Sequence, residues 1–118
     1  MNNVVGQPND LYVLWTSGDR DVALGMAFMY TFNAKTRGWW DNVTLIVWGA
    51  STKLLGQDEE LLGRVRQIIE AGVKVEACLA CAEMYGMVAT LENLGVEVKY
   101  MGQPLTELLK AGKIVLSV

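Results

Sequence analysis

Apolar residues run together or alternate with polar ones in some stretches of this chain. In others they recur every three or four positions, and a glycine or proline marks most of the changes. Leu11 to Trp15 is a continuous apolar run, the signature of a strand covered on both faces, and it ends at Thr16-Ser17-Gly18. Asp19 and Asp21 precede a helix expected over Val22 to Asn33, with Lys35 and Arg37 at its far end and Gly38 beyond. Acidic start, basic finish and glycine stop all suit the helix dipole and a left-handed cap. Leu24, Met26, Phe28, Met29, Tyr30 and Phe32 make this helix apolar nearly all round, more than its own sheet can cover, which points to a subunit interface. Trp39-Trp40-Asp41-Asn42 reads as a turn whose aromatics cap the core or meet a neighbour. Val43 to Trp48 reads as a second buried strand, ending at Gly49-Ala50-Ser51.

The second half repeats the alternation. Asp58, Glu59 and Glu60 open a helix in which Leu61, Leu62, Val65, Ile68 and Ile69 form one apolar stripe, closed by Gly72. Val73, Val75 and Ala77 then alternate with Lys74, Glu76 and Cys78, a period of two that predicts a half-buried third strand. From Cys81 the apolar positions Met84, Tyr85, Val88 and Leu91 follow at helical spacing and predict one helix ending at Gly95. Val96 to Tyr100 is a fourth strand with Glu97 and Lys99 on one parity. Pro104 stands at the first position of a last helix, whose Leu105, Leu108 and Leu109 face inward and which Gly112 ends. Ile114 to Val118 is a fifth strand.

Strands alternating with helices through short connections give a parallel sheet with right-handed crossovers and helices on both faces. The predicted fold is therefore α/β: a three-layer α/β/α sandwich with a five-stranded parallel sheet, formed as one domain over residues 1–118. Ligands meet such sheets at the carboxyl ends of the strands, here Thr16 to Asp19, Gly49 to Lys53, Cys78 to Cys81 and Met101 to Gln103. Ser17, Gly18, Gly49, Ala50 and Ser51 are the expected substrate-binding positions on that edge.

Composition narrows the chemistry. A net charge of −3 without charged runs makes no electrostatic claim on nucleic acid. Two cysteines and six methionines suit a reducing compartment, so the expected location is cytoplasmic. The N-terminus, Met1 to Asp10, has neither a basic segment nor an apolar core, and Val22 to Ala34 is too short to span a bilayer, so no membrane association is expected. With no histidine, Ser-His-Asp and Cys-His catalysis and His-ligated zinc are unavailable, and chemistry falls to thiol, carboxylate, amine or backbone groups. Two thiolates make half of a tetrahedral zinc set, and Thr16-Ser17-Gly18-Asp19-Arg20 has one glycine and an acidic residue where a phosphate cradle needs several glycines. Neither a metal nor a cofactor is expected.

Both cysteines fall where the third strand hands over to a helix. Cys78 shares parity with Lys74 and Glu76, so its thiol is expected to be reachable, at a helix N-terminus whose unpaired amides and positive dipole end stabilise a thiolate. Cys81 lies about one turn in, on the apolar stripe, where desolvation raises a thiol pKa. The Cys78-Leu79-Ala80-Cys81 spacing fits a dithiol redox couple, half a zinc site, or a nucleophilic thiol with a helper, and does not choose among them.

Three segments carry a resemblance over nearly the whole chain from Tyr12 to Val118: Leu45-Ile46-Val47-Trp48-Gly49-Ala50-Ser51, the run from Gly72 to Ala82 through both cysteines, and Leu94 to Gly102 with Pro104-Leu105-Thr106. Together they resemble the DsrE/DsrF-like family, which includes YchN-type proteins. The resemblance implies a five-stranded parallel sheet and a homo- or hetero-oligomer. It also implies an intracellular sulfur relay that holds persulfide sulfur on a cysteine after the third strand, a position Cys78 occupies, and sulfur donor and acceptor proteins as partners. The other expectation is an oligomeric thiol sensor without sulfur transfer, in which Cys78 forms a sulfenic acid and Cys81 resolves it as a disulfide.

Overall fold

The computed structural model describes residues 7–118, so most of the Met1 to Asp10 segment lies outside the described residues. Five strands, β1 (Asp10–Trp15), β2 (Asn42–Val47), β3 (Lys74–Cys78), β4 (Glu97–Lys99) and β5 (Ile114–Ser117), form one sheet in the order β4-β3-β2-β1-β5. Every pairing is parallel, and the fold is the expected α/β/α arrangement. The register sets Trp15 beside Val47, Val47 beside Ala77, and Cys78 beside Lys99.

That strand order makes the two faces unequal. From β1 to β4 the chain steps across the sheet in one direction, so right-handed crossovers put all the intervening helices on one face. These are α1 (Arg20–Val22), continued by a π-helical stretch over Ala23–Phe28 into α2 (Met29–Thr36), then α3 (Ala50–Leu55), α4 (Glu59–Glu70), α5 (Leu79–Met84) and α6 (Val88–Leu94). From β4 to β5 the chain crosses back over the other face, and α7 (Gly102–Lys110) alone makes the third layer. The burial pattern follows from this. Leu11, Val13, Leu45, Val75 and Ala77 join the helices in one large core, whereas Ile46, Cys78 and Met101 form a small second core that Leu108 of α7 helps to close.

Local signals placed most boundaries. Asp19 caps α1, its carboxylate accepting from the backbone N–H of Asp21 (2.8 Å) and Val22 (3.1 Å), and Asp58 caps α4 by accepting from Leu61. Gly38, Gly72, Gly95 and Gly112 all take positive φ just past a helix, the left-handed cap that only glycine enters without strain. Ala23, Ala27, Thr31 and Ala34 are buried on the first helix and let it lie close to the sheet, with Phe28 packed edge-on to Trp15 at 4.8 Å. Trp40 turns inward, its indole N–H donating to Tyr30 Oη at 3.2 Å, while Trp39 stays exposed.

Several expectations are corrected. β1 is not equally covered on both faces: Leu11, Val13 and Trp15 are buried but Tyr12 and Leu14 only half-buried, because a single nine-residue helix serves the second face. Gly49 to Lys53 is not a loop throughout, since Ala50 opens the short helix α3. The helix after β3 breaks at Tyr85–Met87, where Gly86 takes φ +65°, and leaves Met84 and Tyr85 exposed rather than on a buried stripe. Helix α7 begins at Gly102, two residues before Pro104, and Leu109 is 57% exposed instead of facing inward.

Candidate functional site

The carboxyl ends of β1, β2 and β3 meet in one set of backbone contacts. The Trp48 N–H donates to Trp15 O at 3.2 Å, extending the β1–β2 ladder by one rung. Beyond it the Ser51 hydroxyl lies 2.7 Å from Trp15 O and 3.0 Å from Trp48 O, and accepts from Trp48 N–H at 3.2 Å. Ser51 is fully buried, so this hydroxyl is committed to holding the β2–α3 turn against the end of β1. Gly49 can then take φ +71°, a conformation that aims its N–H at Cys81 Sγ, 3.3 Å away. A Cβ on Gly18 would stand 3.1 Å from the Ala50 Cβ, so the loop after β1 presses directly on the start of α3. Ser17 Oγ accepts from the Asp19 N–H at 3.1 Å and shapes that loop. Of the five expected binding positions, Gly18 and Ala50 are exposed at the rim, Ser17 and Gly49 half-buried, and Ser51 internal.

The cysteines divide differently from expectation. Cys78 is only 5% exposed, and its side chain forms no cap hydrogen bond to the α5 amides although it stands at the N-cap. Parity with Lys74 and Glu76 placed it on the correct face, but that face is covered here by Ile46, Met101, Trp48 and Leu108. Cys81 is the more accessible of the two free thiols, and it is Cys81 that receives a backbone N–H. Burial pushes the Cys81 thiol pKa up, the Gly49 N–H pulls it partly back by favouring the thiolate, and the neighbouring Cys78 raises it further. The pair is therefore a buried sulfur in apolar packing next to a rim sulfur that a fixed amide can stabilise as an anion. Persulfide and disulfide chemistry are both open to such an arrangement.

Among the described residues no three metal-ligating side chains stand together, and two thiols fall short of a tetrahedral set. Met101, Trp48 and Leu108 surround Cys78, and the sequence marked only Met101 as an edge residue. A further feature lies beside the thiols on the same sheet face. Glu76, its side chain 8% exposed, is held by Lys99 at 2.5 Å and lies 3.9 Å from Lys74, which reaches Glu97 at 3.2 Å. Glu76 pulls the Lys99 pKa up, and Lys74 holds the Glu97 carboxyl below the usual range.

Among solved structures, the chain is similar to the conserved protein of unknown function BT1422 from Bacteroides thetaiotaomicron, at 40% identity and a TM-score of 0.92 over 98% of this chain and 100% of that one. It shares its fold with the protein of unknown function MTH1491 from Methanobacterium thermoautotrophicum, at 17% identity and a TM-score of 0.67 over 95% of this chain and 100% of that one. It also shares it with the ychN protein from E. coli, at 13% identity and a TM-score of 0.63 over the same shares. No protein-family model and no curated protein matches the chain. No helix among the described residues is long and apolar enough to cross a membrane.

Proposed function

The chain belongs to the same family as BT1422 of Bacteroides thetaiotaomicron. From its paired thiols and the resemblance its sequence carries, we propose that it is a sulfur-relay protein of the DsrE/DsrF kind, carrying sulfane sulfur as a persulfide on Cys78. One observation carries the reading: two free thiols at the handover from β3 to α5, one packed beneath the other, with a glycine N–H on the outer sulfur. A donor persulfide meets the rim formed by Ser17, Gly18, Gly49 and Ala50, and Ser51 keeps that rim in shape. Cys81 is the first sulfur reached, and the Gly49 N–H stabilises negative charge there during exchange. Transfer to Cys78 moves the sulfur among Ile46, Met101 and Trp48, away from water and soluble thiols. The same reading takes the protein as a cytoplasmic homo-oligomer working with donor and acceptor proteins. Met26, Met29 and Phe32, at 38%, 56% and 40% exposure, are the surface available for self-association.

Incubation with a persulfide donor followed by intact-mass measurement tests the assignment. Wild type gains the mass of one sulfur atom, Cys81→Ser gains it more slowly, and Cys78→Ser gains none. Equal loading of both variants, or loss of loading in Cys81→Ser alone, rejects Cys78 as the carrier. Contact between the two thiols favours one second reading, a redox pair that closes to a disulfide. Mild oxidant linking Cys78 to Cys81 in protein that takes up no sulfur would put that reading in place of the relay.

A further inference from the structure

On the second face of the sheet, α7 does not lie flush. Between it and the strands is a cavity of about 420 Å3 with Thr44, Lys74, Glu76 and Lys99 on the strand side and Glu107 on the helix side. Burying a carboxylate costs several kcal/mol unless it is paired, and an apolar residue in place of Glu76 would let α7 close on the sheet. The Glu76–Lys99 pair instead keeps this space polar and open. Glu107 is oriented by Gln103, whose Nε2 donates to Oε1 at 3.1 Å. The Thr44 and Tyr12 hydroxyls make no hydrogen bond within the described residues.

The charges select a class of ligand. A simple anion would face Glu76 and Glu107, and a simple cation would face Lys74 and Lys99. A molecule with one end of each sign satisfies both, its carboxylate on Lys74, which is 60% exposed, and its ammonium on Glu107. The volume holds a free amino acid or a short peptide. Tyr12 and Leu108 line the cavity and also pack against the small core of Ile46, Cys78 and Met101, so they give a ligand side chain an apolar wall.

We propose that the cavity beneath α7 binds a free amino acid as its zwitterion, the carboxylate on Lys74 and the ammonium on Glu107.

Amide NMR titration with S-methylcysteine is compared with S-methylcysteamine, lacking the carboxylate, and 3-(methylthio)propanoate, lacking the ammonium. The expected result is saturable shifts at Thr44, Lys74, Lys99 and Glu107, with each singly charged analogue, and each of Lys74→Met and Glu107→Gln, weakening binding about tenfold, the worth of one charged hydrogen bond. No saturable shift there, or equal binding of the singly charged analogues, overturns the site.

Discussion

Replacing Ser51 with alanine deletes one oxygen at the point where β1, β2 and α3 converge. The hydroxyl is fully buried, is shared between Trp15 O at 2.7 Å and Trp48 O at 3.0 Å, and accepts from Trp48 N–H at 3.2 Å. Trp48 N–H keeps its bond to Trp15 O, so no backbone donor is orphaned, and the loss is that of one good buried hydrogen bond with part of a second. That amounts to about 1–2 kcal/mol, and the space vacated is too small for a replacing water. A chain of 118 residues unfolds with an entropy of about 0.25 kcal/mol per degree, so Tm falls by about 4–8 °C. Thermal unfolding followed by far-UV circular dichroism, with a urea midpoint as a second measure, reads the change. An unaltered Tm together with weakened ligand binding would refute the structural role and return Ser51 to the direct substrate contact its position in the sequence suggested.

Stability should also follow pH through the ion pairs on the second sheet face. Glu97 is held below its ordinary pKa of 4.5, chiefly by Lys74, so its contribution is full above that value and is lost as pH falls through the folded pKa. Lys99 is raised above 10.5, chiefly by Glu76, so its contribution is full below that value and is lost as pH rises through the folded pKa. Urea midpoints across pH should show both limbs, and Lys99→Met should flatten the alkaline one; an unchanged alkaline limb contradicts the assignment. In a Cys78→Ser background, iodoacetamide should modify Cys81 with a pH midpoint above the ordinary thiol value of 9.0, since burial outweighs the Gly49 N–H, and a midpoint at or below 9.0 would reverse that ranking. Sedimentation should show wild type heavier than one chain and Met29→Glu shifted toward monomer; a purely monomeric wild type at micromolar concentration removes the self-association reading.

What the sequence determined by itself is local. Asp19 and Asp58 as caps and glycines at the left-handed helix ends depend on neighbours within a few residues, and both stand where the pattern put them; the period of two over Val73 to Ala77 located β3 but not its exposure, because Glu76 and Cys78 are buried as well. The four-residue segment from Cys78 to Cys81 was legible as a strand-to-helix handover for the same reason. Tertiary structure decided which thiol faces water. Parity says only that Cys78 shares a face with Lys74 and Glu76; whether that face is wet depends on Met101 and Leu108, more than twenty residues later, returning over the sheet in the crossover from β4 to β5. The Gly49 N–H on Cys81 is likewise a contact between the turn after β2 and helix α5 that exists only once the carboxyl ends of β2 and β3 are side by side. The cavity under α7 has the same origin, because its charges come from two strands and a helix, each of which reads alone as an ordinary solvated position. Local periodicity assigns a residue to a side of its element, and only the packed neighbours of that side fix its solvation, its pKa and its chemistry.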